Sequence, residues 1–122
     1  MTNQQICDLS ITEISYFDIN KLQQIYYFKE PEAILQFLNK YPFIIPILLT
    51  APEKIHQYFP DDLLGLEVYI DPGATENDEE LFIIIFTKIE CHEAVEKLWE
   101  LDEYWSLYIC REAQHKLEIH LG

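Results

Sequence analysis

The chain has 122 residues, of which 49% are hydrophobic and 14% aromatic, with 8 basic and 22 acidic side chains and a net charge of −14. That length and composition suit one globular α+β domain over residues 1–122 and exclude a disordered or low-complexity chain. The charge excludes the basic surface that nucleic-acid binding requires.

The charge is unevenly spread. Residues 1–61 carry 7 acids and 4 bases, and residues 62–122 carry 15 acids and 4 bases, so the second half holds −11 of the −14. Three widely spaced cysteines, Cys7, Cys91 and Cys110, form neither a disulfide framework nor a zinc spacing. Free thiols point to a reducing, cytoplasmic setting. The first residues, MTNQQ, lack the charge and apolar run of a signal peptide. The longest apolar run, Phe43–Leu49, is broken by Pro46 and is too short to span a bilayer, so no membrane anchor is expected.

In chain order, Asp18 is placed to cap a helix starting at Ile19, with Leu22, Ile25 and Tyr26 on one face. Pro31 and Glu32 suit the first turn of a second helix, buried through Ile34, Leu35, Phe37, Leu38 and Tyr41 and ended by Pro42. A third helical stretch runs from about Ile45 to Tyr58. Thr50 and Pro52 allow a fresh start within it, so it reads as one helix or two short ones. The period then changes. Leu64, Leu66, Val68 and Ile70 alternate with Gly65, Glu67, Tyr69 and Asp71, as in a half-buried strand.

Asp71–Glu80 (DPGATENDEE) reads as a loop. Leu81–Phe86 (LFIIIF) is apolar at every position and reads as a strand covered on both faces. A helix from Glu93 to about Glu112 and an alternating strand over Lys116–Leu121 complete the chain. The expected fold is thus N-terminal helices followed by a β-β-α-β unit with a small three-stranded mixed sheet. The LFIIIF strand is placed in its centre, antiparallel to the preceding strand and parallel to the last; the rival order centres the preceding strand and leaves LFIIIF as an apolar edge that a second copy would cover.

Five stretches resemble a group of small, acidic, uncharacterised bacterial proteins of the kind found in cyanobacteria. They are Tyr41–Leu49 (YPFIIPILL), Lys54–Pro60 (KIHQYFP), Leu66–Pro72 (LEVYIDP), Leu101–Trp105 (LDEYW) and Leu117–Leu121 (LEIHL). The resemblance covers roughly residues 40–122. It implies one domain ending in a strand, and it carries over no activity, catalytic residue or cofactor.

No motif for nucleophilic catalysis or phosphate binding occurs. Cys91 and His92 are adjacent before a helix and point about 100° apart, a poor arrangement for sharing one metal. Glu118 and His120 share a strand face with Lys116, which is more often a solvated face than a metal site. Glu67 and Tyr69 project from a sheet and are the carboxyl and phenol to examine for acid chemistry. The weightier reading for them is an exposed sheet face. No catalytic, cofactor or metal residue is therefore assigned.

The last helix is the most informative element. Its periodicity predicts a core stripe of Ala94, Leu98, Leu101, Trp105 and Tyr108, backed by Glu93, Glu96, Glu100 and Glu103. Trp99 falls toward the acidic side, as an interface anchor would. The reading that follows is a non-enzymatic, antitoxin- or inhibitor-like protein. It would bind a basic protein partner through Trp99, Glu96, Glu100 and Glu103 together with Asp78 and Glu79 of the loop. The alternatives are a self-assembling structural or scaffold protein, a homodimer formed through the LFIIIF strand or Trp99, and an enzyme of unassigned chemistry.

Overall fold

A computed structural model describes residues 16–70, 73 and 79–122. Helix α1 (Tyr16–Ile25) leads directly into a three-residue strand, β1 (Tyr26–Phe28). Helices α2 (Pro31–Lys40) and α3 (Ile44–Ile55) follow, then strands β2 (Leu63–Tyr69) and β3 (Glu80–Phe86). Helix α4 (Cys91–Leu101) runs through a π turn at Asp102–Ser106 into α5 (Leu107–Glu112), and β4 (Leu117–Leu121) ends the sheet. The strand order is β1-β2-β3-β4. The outer pairs β1–β2 and β3–β4 are parallel, and the central pair β2–β3 is antiparallel. The sheet is therefore mixed, with β3 flanked by β2 and β4 as its sequence predicts. It has four strands rather than three.

The additional strand arises from Tyr26–Phe28, of which the helical periodicity places Tyr26 on the face of α1. Three residues are too few for alternation to show. Pairing of Tyr26, Tyr27 and Phe28 with Leu64, Gly65 and Leu66 makes them a strand. Tyr26 then points inward and is fully covered, and its hydroxyl donates to the Leu48 carbonyl at 2.7 Å. Pro52 explains that bond. Within α3 the residue four positions after Leu48 is Pro52, which has no N–H to give. The tyrosine hydroxyl supplies the missing donor, and burial pushes its pKa far up. Thr50 does not open a new helix. Its hydroxyl donates back to the carbonyls of Pro46 and Ile47, and the helix passes through Pro52 unbroken.

The buried apolar side chains form a cluster between the helices and one face of the sheet. It includes Leu22, Ile34, Phe37, Leu38, Leu48, Ile55, Leu66, Leu81, Ile83, Ile85 and Leu101. Alternation places Leu81, Ile83 and Ile85 in that core, each fully buried, while Phe82 and Ile84 are half-buried and Phe86 is exposed. The expectation that β3 is covered on both faces is thus corrected. Its second face has no described helix over it.

The long helix also departs from its simple periodicity. The side chain of Glu90 caps α4, accepting from the N–H groups of His92 and Glu93. At Asp102–Ser106 the π turn inserts one residue into the α repeat. The inward positions therefore run Leu101, Trp105, Ile109 and Ala113 rather than on to Tyr108. Trp105 is half-buried against the core, and Tyr108 is 61% exposed, which corrects the predicted stripe at its last position. No single helix among the described residues is long and apolar enough to cross a membrane.

Candidate functional site

Among the described residues, two surfaces group exposed aromatic and charged side chains. The first is the open face of the sheet. Strand registers align its side chains in rows across the strands. One row is Lys29, Glu67, Phe82 and Glu118, with Lys29 just beyond the last β1 pair. The next is Tyr27, Gly65, Ile84 and His120, and beyond it Leu63 stands opposite Phe86. Tyr27 is 66% exposed and Leu63 72% exposed.

The rings on this face are ordered by contact. Tyr69 stacks on Phe82 with centroids 5.2 Å apart, and Phe82 stacks on His120 at 4.0 Å. Phe86 lies across the strands over two glycines. A Cβ at Gly65 would come within 2.7 Å of the Phe86 ring, and one at Gly122 within 3.0 Å. The result is a shallow groove of about 530 Å³, with a floor of Phe82, Ile84 and Phe86 and walls that include Tyr27, Lys29 and His120.

Polar groups rim this groove. Lys29 Nζ meets Glu67 at 3.0 Å, and His120 Nε2 meets Glu118 at 3.1 Å. Glu80 lies against Glu118. Partial burial and the hydrogen bond and charge of Glu118 raise its carboxyl pKa, against the opposing pull of Lys116 and His120. Lys116 itself reaches toward the Tyr41 ring, at 4.9 Å from its centroid, and donates to the Glu79 carbonyl. Among the described residues, no group of three or more His, Cys, Asp or Glu side chains is placed to hold a metal ion. Cys91, the first residue of α4, has an exposed thiol, and His92 pairs loosely with Glu96 at 3.7 Å.

The second surface is the solvent side of α4 and α5. Trp99 is 68% exposed there, and Glu96, Glu100 and Glu103 are exposed around it. Tyr104 and Tyr108 are exposed on the same helical run. Four of the six residues assigned to partner binding are thus exposed on one helical run.

Glu79 lies apart from them. Burial would raise its pKa, but Lys40, 2.9 Å away, its own backbone hydrogen bond and the charge of Lys116 hold it below the usual carboxylate range. Its other oxygen, Oε1, is covered and has no hydrogen-bond partner. Asp78 lies outside the described residues.

The open-face residues Tyr27, Leu63, Phe82, Ile84 and Phe86 are not singled out by sequence reasoning. A signal for them existed in the neighbouring strands. Glu67 on β2 and Glu118 and His120 on β4 share a face with Phe82 and Ile84. Polar flanks on both sides of an apolar central strand mark a face that is not packed beneath a layer of helices. Comparison with protein-family models, curated proteins and solved structures finds no match, so no activity or partner comes to the chain from a relative.

Proposed function

We propose that this is a non-enzymatic interaction protein that binds a basic protein partner through the solvent side of α4 and α5. The observation that carries the reading is Trp99, a large indole exposed among the carboxylates of Glu96, Glu100 and Glu103. Exposing an indole costs apolar hydration, and clustering like charges on one helix costs a few tenths of a kcal/mol per pair. A cationic partner relieves both: its charges offset the carboxylates, and its apolar surface covers the ring. Tyr104 and Tyr108 are further exposed rings on the same helical run. Glu79, engaged by Lys40, is not part of it. An inhibitor- or antitoxin-like role, in which the acidic surface covers a basic protein, is the form of binding that suits this charge.

The test is capture of partners from the native cell, followed by binding kinetics. Association with a basic partner should be fast at low salt and slow by roughly tenfold or more as salt screens the encounter. Replacing Glu96, Glu100 and Glu103 together with Gln should lower the on-rate. Trp99→Ala should instead raise the off-rate, by roughly the 30-fold that corresponds to a hot-spot residue. Capture of only acidic partners, or binding indifferent to salt and to the triple variant, would leave the charge as a solubility feature.

A further inference from the structure

The open sheet face is a separate surface, and its arrangement specifies an occupant. We propose that it is the contact between two copies of this chain, packed sheet against sheet about a two-fold axis that runs along the strands between β2 and β3. Such an axis exchanges β1 with β4 and β2 with β3, and leaves each row of side chains facing the same row, reversed, on the other copy.

The ends of the first row and the apolar positions of the next two are complementary under that operation. In the first, Lys29 lies opposite the second copy's Glu118, and Glu67 opposite Phe82. In the next, Tyr27 lies opposite His120, and Gly65, covered by the Phe86 ring, lies opposite Ile84, so an aromatic ring meets the branched side chain. Leu63 lies opposite Phe86. The most exposed apolar groups of the face, Leu63 and Tyr27, thereby gain apolar or aromatic cover. At the corners each lysine gains a second carboxylate, because Lys29 already holds its own Glu67 and its side chain is still 59% exposed. Aligned sheets cross at about 30°, which offsets the corners by a few ångströms, and Lys and Glu side chains span that distance.

Other orientations match less well. An axis across the strands would set Lys29 at the level of other rows and bring β1 over β1, with no carboxylate of β4 facing it. The overall charge of −14 does not oppose the proposed contact strongly. Glu96, Glu100 and Glu103 lie on the helix side, away from it. Strands of three, seven, seven and five residues give a face of roughly 350 Å² on each copy, at about 3.3 Å per residue and about 4.8 Å between strands, which suits a weak, reversible dimer rather than an obligate one. The pairing leaves Trp99 and its carboxylates outward on both copies, so it is independent of the binding reading above and makes that surface bivalent.

The experiment is sedimentation equilibrium or light scattering from about 1 μM to about 1 mM protein. The expected result is a mass that rises from one chain to two. Tyr27→Glu and Leu63→Glu, both at positions exposed in the single chain, should hold the protein monomeric while its circular dichroism is unchanged. Lys29→Glu and Glu118→Lys should each weaken the dimer about tenfold, and the two together in one chain should recover most of the loss. Recovery is specific to this axis, because only there do the two residues face each other between copies. A single-chain mass throughout the range would overturn the proposal. So would a dimer indifferent to Tyr27→Glu, one weakened by Trp99→Ala, or a double charge exchange no better than its worse parent.

Discussion

Ile83 and Ile84 are neighbours in β3 and chemically identical, yet one is fully buried beneath the helices and the other lies half-covered on the open face. The same division runs through the whole sheet. On the helix side, Leu66, Ile83 and Leu117 meet side chains of other elements and disappear from solvent. On the far side, Phe82 and Phe86 are covered mainly by residues of the sheet itself. Hydrophobic sequence alone therefore does not make a core. An apolar side chain stabilises the fold in proportion to the area that other elements remove from water. Apolar groups left over on one face are available for association.

Truncation measures that difference directly. Ile83→Ala should cost about 2–5 kcal/mol in denaturant melts, because it leaves a cavity among closely packed neighbours. Ile84→Ala should cost less than about 1.5 kcal/mol in a dilute, single-chain sample, since the site is open and creates no enclosed cavity. Equal losses at the two positions would break the comparison and mean that the second face is covered.

The next effect lies in the helix layer. Tyr26→Phe removes only a hydroxyl, but leaves the Leu48 carbonyl without the donor that Pro52 does not provide. A loss of about 1–3 kcal/mol is expected. Restoring an N–H with Pro52→Ala in the Tyr26→Phe background should recover part of it. Additive behaviour of the two changes would separate the tyrosine bond from the proline.

Smaller effects belong to the carboxylates. Glu79 has a depressed folded pKa, so its pairing contributes stability that is present above the unfolded carboxylate pKa and lost as pH falls through the folded value. Lys40→Met should therefore lower stability near neutral pH by about 1 kcal/mol and flatten the acid limb of the stability profile. Glu80 has the opposite sign. Its folded pKa is raised, so stability falls as pH rises from the unfolded carboxylate value through the folded one. Glu80→Gln should be neutral to stabilising at pH 7 and should remove that decline, as thermal melts over pH 4–8 would show. The smallest change is expected from Glu96→Gln with Glu100→Gln and Glu103→Gln. The isolated fold should keep its stability or gain a few tenths of a kcal/mol.

The sequence by itself determined the elements whose periodicity is long enough to read: α2 with Pro31 at its start, the alternating β2, the apolar β3 and the closing β4. It favoured a central place for β3, which is apolar at every position, over the rival order with β2 in the centre; pairing with both β2 and β4 decided it. Trp99 and its surrounding glutamates were legible as a surface because their angular position on a helix follows from spacing alone.

Tertiary structure decided the rest. Tyr26–Phe28 became a strand only because β2 offered an edge to pair with. Three residues have no period of their own. The π turn moved the inward stripe from Tyr108 to Ile109, a rotation that α periodicity does not anticipate. The open face was decided by where the helices pack. Alternation says that Ile83 and Ile84 point in opposite directions, but not which side is covered, because that depends on contacts between segments far apart in the chain.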